Sequence, residues 1–133
     1  MAYLRPPLFV RHIFNPIAMR FGIGGSQALT VTGRRTGKRH RVPVIPVSHD
    51  GSRYLVSPRG ETDWVRNLRI AGHGDLAGRG EHVLFRAIEI PVEDRPDIIA
   101  AYRAVAGRAV KSFFEALPDA RDHPVFRIDL SAP

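Results

Sequence analysis

The chain has 133 residues, 44% of them hydrophobic and 25% charged, with no cysteine and a formal net charge of +7. That length and apolar share fit one domain with a real core and exclude intrinsic disorder. The missing thiol removes disulfides, thiolate zinc sites, iron–sulfur clusters and cysteine catalysis together. No apolar run approaches the roughly 20 residues of a membrane span, and nothing near Met1 has the continuous apolar stretch of a secretory leader.

Of the 20 basic residues, 18 are arginine; only Lys38 and Lys111 are lysine. A guanidinium offers planar, two-pronged recognition of phosphate and carboxylate that an ammonium does not. Nucleic acid, a membrane surface or a multiply charged small molecule all answer to such a surplus. So does codon bias in a chain rich in Ala, Gly and Pro. Position along the chain must decide which arginines matter.

Residues 1–22 mix apolar and basic positions, and Leu8, Phe9, Ile13 and Ile17 approximate one helical face that Pro16 interrupts. The expectation is a helical segment packed on the domain or on a second subunit, with peripheral membrane contact as the alternative. The rest, 23–133, reads as one domain. Leu29–Thr32 alternates like a strand and ends at Gly33. Val42–Val47 is β-rich but carries Pro43 and Pro46, which suits an edge or bulged strand. His49-Asp50-Gly51-Ser52 is the strongest hairpin signal, returning through Arg53–Ser57. Thr62 is the expected N-cap of a helix through Ala71, stopped by Gly72. Gly72-His73-Gly74-Asp75 reads as a loop, and 82–92 as a long strand with apolar residues on both faces. Asp94 and Pro96 open a second helix on which Ile98, Ala101, Tyr102 and Val105 keep helical spacing. A third runs from Arg108 to Leu117, and Pro124–Leu130 is a closing strand. Adjacent strands with few helices and no β-α alternation predict an α+β fold, a small antiparallel barrel with flanking helices.

Two stretches carry candidate chemistry. Thr32-Gly33-Arg34-Arg35-Thr36-Gly37-Lys38-Arg39-His40-Arg41 joins two strands and holds five Arg or Lys residues between glycines. Its backbone amides, the Thr36 hydroxyl and the guanidiniums suit a phosphate, although the spacing is not that of a P-loop. The alternative is a solvated basic hairpin tip. The second stretch, Val56-Ser57-Pro58-Arg59-Gly60, runs into Trp64-Val65-Arg66-Asn67-Leu68. Asn67 shares a helical face with Trp64 and Leu68, so its amide needs a partner once buried. A strand carbonyl is the commoner partner, and the polar edge of a bound ring the other. His12, His40, His49, His73, His82 and His123 lack metal-ligand spacing, so no metal is expected. No nucleophile elbow or interacting carboxylate pair is present, so an enzyme of this sequence would draw its reactivity from a cofactor, and no catalytic side chain is assigned.

In order, Leu-Thr-Val-Thr-Gly-Arg-Arg-Thr-Gly at 29–37, Arg41-Val42-Pro43-Val44, the Asp50-Gly51 hairpin and Trp64-x-x-Asn67-Leu68 resemble the deazaflavin-dependent nitroreductase family, across about residues 20–130. The resemblance implies the split β-barrel shared with FMN-binding oxidoreductases, and coenzyme F420, a deazaflavin with a phosphodiester and an oligoglutamate tail. It implies that Arg34, Arg35, Thr36 and Gly37 hold the anionic end, with His40 and Arg41 continuing the basic run. Pro43 and Val44 would lie along the cofactor, and Val56, Ser57, Pro58, Arg59 and Gly60 would approach it. Trp64, Val65 and Asn67 would complete the wall. The sequence carries Phe113 and Phe114 where nitroreductase-active members supply tyrosines. The implied activity is hydride transfer from the reduced deazaflavin to a small electron-poor acceptor (quinone, enone or nitro compound) in the cytoplasm, with a homodimer left open. Three alternatives stand beside it: FMN in the same barrel, a cofactor carrier without turnover, and a nucleic-acid-binding barrel. The aromatics fall on helix-periodic and strand-interior positions rather than as exposed stacking platforms, so nucleic acid is not the expected partner.

Overall fold

The computed structural model describes residues 25–130; the expected helical segment at 1–22 lies outside them. The first strand, β1 (Gln27–Thr32), pairs antiparallel with β2 (Arg39–Val44), whose last residue is separated from β3 (Val47–His49) only by Ile45 and Pro46. Pro46 cannot donate to a ladder, so the single run expected over 42–47 divides there, and the first half begins earlier, at Arg39. β3 turns back into β4 (Ser52–Val56) through Asp50 and Gly51, whose φ values of 49° and 81° are the paired positive angles of a tight hairpin turn.

After α1 (Asp63–Ala71) come β5 (His73–Gly78), β6 (Glu81–Glu89), α2 (Pro96–Ala106), α3 (Arg108–Ala116) and β7 (Val125–Asp129). The hydrogen-bonded order is β2-β1-β5-β6-β7-β4-β3, with every pair antiparallel. β2 and β3 therefore stand at opposite ends of the row, yet two residues join them, a span of at most about 11 Å. The row has to curl until its ends meet. The result is the α+β split barrel with flanking helices that the sequence predicts.

Register decides what the barrel encloses. Leu29 and Val31 of β1 stand on the same face as Leu76, Phe85, Leu55, Phe126 and Ile128, and all are buried inside. α1 covers this interior with Trp64, Val65 and Leu68. Trp64 meets Phe126 at 6.2 Å between ring centroids, tilted by 53°. β5 corrects the sequence reading, which took Gly72-His73-Gly74-Asp75 as a loop. The segment lacks β-branched residues, but Gly74 is what lets α1 approach: a Cβ there would lie 3.2 Å from the Thr30 carbonyl oxygen and 3.3 Å from Leu68 Cδ1.

The outer face is covered only in part. Val47, Val56 and Val125 point outward beneath Ile98, Ile99 and Tyr102 of α2 and Val110 and Phe114 of α3. Val105, expected on the buried stripe of α2, is exposed, because Ile99 completes that stripe instead. The long strand ends at Glu89 rather than 92, where a 3-10 turn, Val92–Asp94, takes over. Across β1, β5 and β6 neither α2 nor α3 covers the outer face, and Leu84 is 73% exposed. Among the described residues no helix is long and apolar enough to cross a membrane.

Candidate functional site

The loop between β1 and β2 is folded tightly rather than waving in solvent. The Gly33 N–H donates to the Lys38 carbonyl at 2.7 Å, the Gly37 N–H to the Gly33 carbonyl at 3.0 Å, and the Lys38 N–H to Thr36 Oγ1 at 3.2 Å. His40 lies so close over Gly33 that a Cβ there would come within 2.6 Å of its Nε2.

Asn67 fastens this loop to α1. Its Oδ1 accepts from the Arg34 backbone N–H at 3.0 Å and from Arg34 Nη1 at 2.8 Å, while Arg34 Nη2 reaches Asp63 at 3.4 Å. Both donors to the buried amide oxygen thus come from a basic residue 33 positions upstream. As a consequence the Arg34 side chain is only 17% exposed. Arg35, Thr36, Gly37, Lys38, Arg39, His40 and Arg41 are all exposed. Arg39 pairs with Asp75 at 2.6 Å, whereas no described carboxylate pairs with Arg35, Lys38 or Arg41.

The remaining predicted residues divide between the two sides of the barrel wall. On β2, Arg41 and Pro43 face outward opposite Thr30 and Ala28, and Val44 faces the interior with Trp64 and Val65. Trp64 is 8% exposed, so its indole is chiefly core. Val56 faces outward beneath α2, in a different cluster from Trp64. The turn after it is bonded internally: the Ser57 hydroxyl donates to the Gly60 carbonyl at 2.6 Å, and the Thr62 N–H donates to the same oxygen at 2.9 Å. Pro58 and Arg59 are half-buried on its outside. Arg59 lies near enough to the Tyr102 phenol for its charge to be felt there, although burial dominates and pushes that phenol up. The structure thus brings Arg34 to Asn67, and Val44 to Trp64 and Val65, while Val56 stays apart from them. α1 links the stretches, since the turn leads into its first residue and the hairpin rests on Asn67.

Sequence reasoning missed a charge ladder built on Arg69, two residues past Asn67 on α1. Arg69 binds Glu61 through two hydrogen bonds, at 2.8 and 3.0 Å, and Glu89 through two more, at 2.7 and 2.8 Å. Glu89 also lies 3.5 Å from Arg95, which is almost wholly buried and donates from Nε to the Ile90 carbonyl at 2.9 Å. The Arg69 hydrogen bond holds the Glu61 carboxyl below the usual carboxylate range, while Glu89 and Glu61 raise the Arg69 guanidinium. Burial lowers Arg95, with Glu89 opposing it. Thr62, expected to cap α1, makes no cap hydrogen bond, and its hydroxyl is buried without a partner among the described residues.

Two grooves flank these parts. One of about 430 Å³ is lined by Arg34, Glu61, Arg66, Arg69 and Ile70. A larger one, about 620 Å³, opens on the outer face between Thr30, Thr32, Arg39, Asp75, Leu84 and Arg86, and takes only Thr32 and Arg39 from the candidate stretches. No group of His, Asp or Glu among the described residues could hold a metal ion.

Residues 9–112 match the family profile described as F420H(2)-dependent quinone reductase. Among solved structures, an F420-H2 dependent reductase, FDR-A, superposes with a TM-score of 0.62 at 20% identity, covering 78% of this chain and 93% of that one. A protein of unknown function from Agrobacterium tumefaciens gives 0.64 at 17% identity over 97% of this chain, which spans 58% of that longer protein. A putative 5-nitroimidazole antibiotic resistance protein from Bacteroides thetaiotaomicron gives 0.59 at 13% identity, covering 80% and 73%. No curated protein matches the chain.

Proposed function

This chain belongs to the F420H(2)-dependent quinone reductase family, and we propose that it is a reductase using coenzyme F420 to reduce a quinone or a similar electron-poor small molecule. The observation that carries the reading is the β1–β2 hairpin. It is fastened to α1 through Arg34 and Asn67, yet presents Arg35, Lys38 and Arg41 to solvent without a described carboxylate partner. Such a donor set fits an elongated polyanion, with a phosphodiester and several carboxylates, better than the single terminal phosphate of FMN.

When bound, the reduced deazaflavin supplies the hydride. The protein's own contribution is grip and alignment. Arg35, Lys38 and Arg41, with the Thr36 hydroxyl and the Gly37 backbone, would hold the anionic end, and the internal bonds of the loop mean that little ordering remains to be done on binding. Pro43 on the outer face of β2 and the Ser57–Gly60 turn would flank the ring. The barrel core behind them, with Val44, Trp64 and Val65, keeps these surfaces at fixed positions. Holding the ring and an acceptor at near-attack separation is where the rate enhancement would arise, and no side chain is needed as nucleophile.

Titration of the protein with reduced deazaflavin, FMN and a single-stranded oligonucleotide in one buffer tests the assignment. Deazaflavin is expected to bind at about micromolar strength or better. Equal affinity for FMN would transfer the reading to a flavin enzyme of the same barrel, and preference for the oligonucleotide would end it. Binding without oxidation of the reduced cofactor by any quinone, enone or nitro compound would leave a carrier.

A further inference from the structure

His123 belongs to none of the stretches above, yet it is wholly buried and reaches one of them. Its Nδ1 faces the Ser57 carbonyl oxygen at 2.9 Å, and its Nε2 faces the Leu117 carbonyl oxygen at 2.5 Å. The ring stacks on Phe114 of α3, with centroids 4.2 Å apart and planes 28° from parallel. Immediately after it, the Pro124 carbonyl accepts from the Ser57 N–H at 3.0 Å. With His123 in its Nδ1–H tautomer all of Ser57's polar groups are engaged: its N–H by Pro124, its carbonyl by His123, and its hydroxyl by Gly60. The start of the turn is thus clamped by a segment more than sixty residues later in the chain. A neutral imidazole carries one N–H and donates to one of these two carbonyls at a time, so the clamp on Ser57 needs the Nδ1–H tautomer.

We infer that His123 is a positioning residue for the cofactor: it fixes the Ser57–Gly60 turn in the shape that receives the ring. This rests on the reading that the turn flanks the deazaflavin. The residue does not touch the reacting atoms and acts through the Ser57 carbonyl. A turn that must be ordered at each binding event costs affinity, whereas one clamped beforehand does not.

The experiment compares His123→Ala, the milder His123→Asn, and Ile98→Ala, which cuts the same outer cluster without reaching Ser57. Two quantities are measured: deazaflavin affinity, and, in cofactor-free protein, hydrogen exchange of the Thr62 amide that closes on the Gly60 carbonyl. His123→Ala should weaken affinity by about tenfold or more and speed that exchange by a similar factor. His123→Asn, whose amide can donate to the Ser57 carbonyl but lacks the stacking on Phe114, should fall between it and the wild type. Ile98→Ala should leave both within about twofold, after correction for its loss of global stability. Added imidazole should restore part of the protection in His123→Gly. Losses that track melting temperature equally in the histidine and isoleucine variants would overturn the inference, as would an unmoved Thr62 amide. If the wild type binds no deazaflavin, the cofactor reading and this role fail together, while the exchange data still decide whether His123 holds the turn.

Discussion

Two positions of α1, only two residues apart, use arginine in opposite ways. Arg69 lies between two carboxylates, with Arg95 beyond the second, so these charges are paired with one another. Asn67 takes Arg34 mainly with a neutral oxygen and leaves Arg35, Lys38 and Arg41 facing solvent. Net charge cannot tell these apart. A guanidinium already committed to buried carboxylates is part of the scaffold, and one held out by a braced loop is available to a ligand. The contrast predicts that substitutions at the ladder should change stability, those at the hairpin tip should change anion affinity, and those at Asn67 should change both.

The largest effect is expected at the ladder. Arg69→Met strands the buried Glu61 carboxylate and should cost about 3 kcal/mol in chemical denaturation, with the denaturant dependence unchanged. Because Glu61 sits below its usual range when folded, the native state binds fewer protons there than the unfolded chain. The stabilisation is present above the ordinary glutamate range and drains away as pH falls through the folded value. Glu61→Gln should remove that acid-side decline, and a decline that persists would place its cause elsewhere. Asn67→Leu comes next. It leaves the Arg34 N–H without its acceptor and the guanidinium with Asp63 alone, at about 1–3 kcal/mol, and should loosen anion binding as well. Asn67→Asp restores an acceptor and should recover most of both; equal damage from Leu and Asp would mean that the amide matters only as packing.

The same contrast explains what was legible in the sequence. The Asp50-Gly51 hairpin and the Gly72 stop of α1 were readable because a local backbone angle demands those residues. The barrel strands were readable where alternation was strong, as in β1. β5 was not, since Gly74 is there for α1 to pack against and carries no strand propensity of its own. Long-range pairing was the least visible. Asp94-Arg95-Pro96 looks like the solvated start of a helix, yet Arg95 is buried against β6 and the segment before β7. Arg34 and Arg35 are equivalent as letters, and only the position of Asn67 separates an anchor from a guanidinium that no described carboxylate pairs. His123 gave no local signal, because its partners lie at 57 and 117.

The smallest change in stability belongs to the hairpin tip, and there the contrast is sharpest. Replacing Arg35, Lys38 and Arg41 together with alanine should shift folding stability by no more than about 0.5 kcal/mol per site, because no described partner is left unmatched. Affinity for the deazaflavin should nevertheless fall, and the remaining binding should depend less on salt. Exposed charges several ångströms from a ligand act through a screened field, so removing them removes the screening as well. A wild-type affinity that drops steeply between low and physiological ionic strength, beside a flat response in the triple variant, would place the anionic end of the ligand at this tip. A variant with unchanged affinity and unchanged salt response would reduce the tip to a solvated turn. The search for the anion site would then move along α1, to the groove where Arg66 stands beside the ladder without a carboxylate of its own among the described residues.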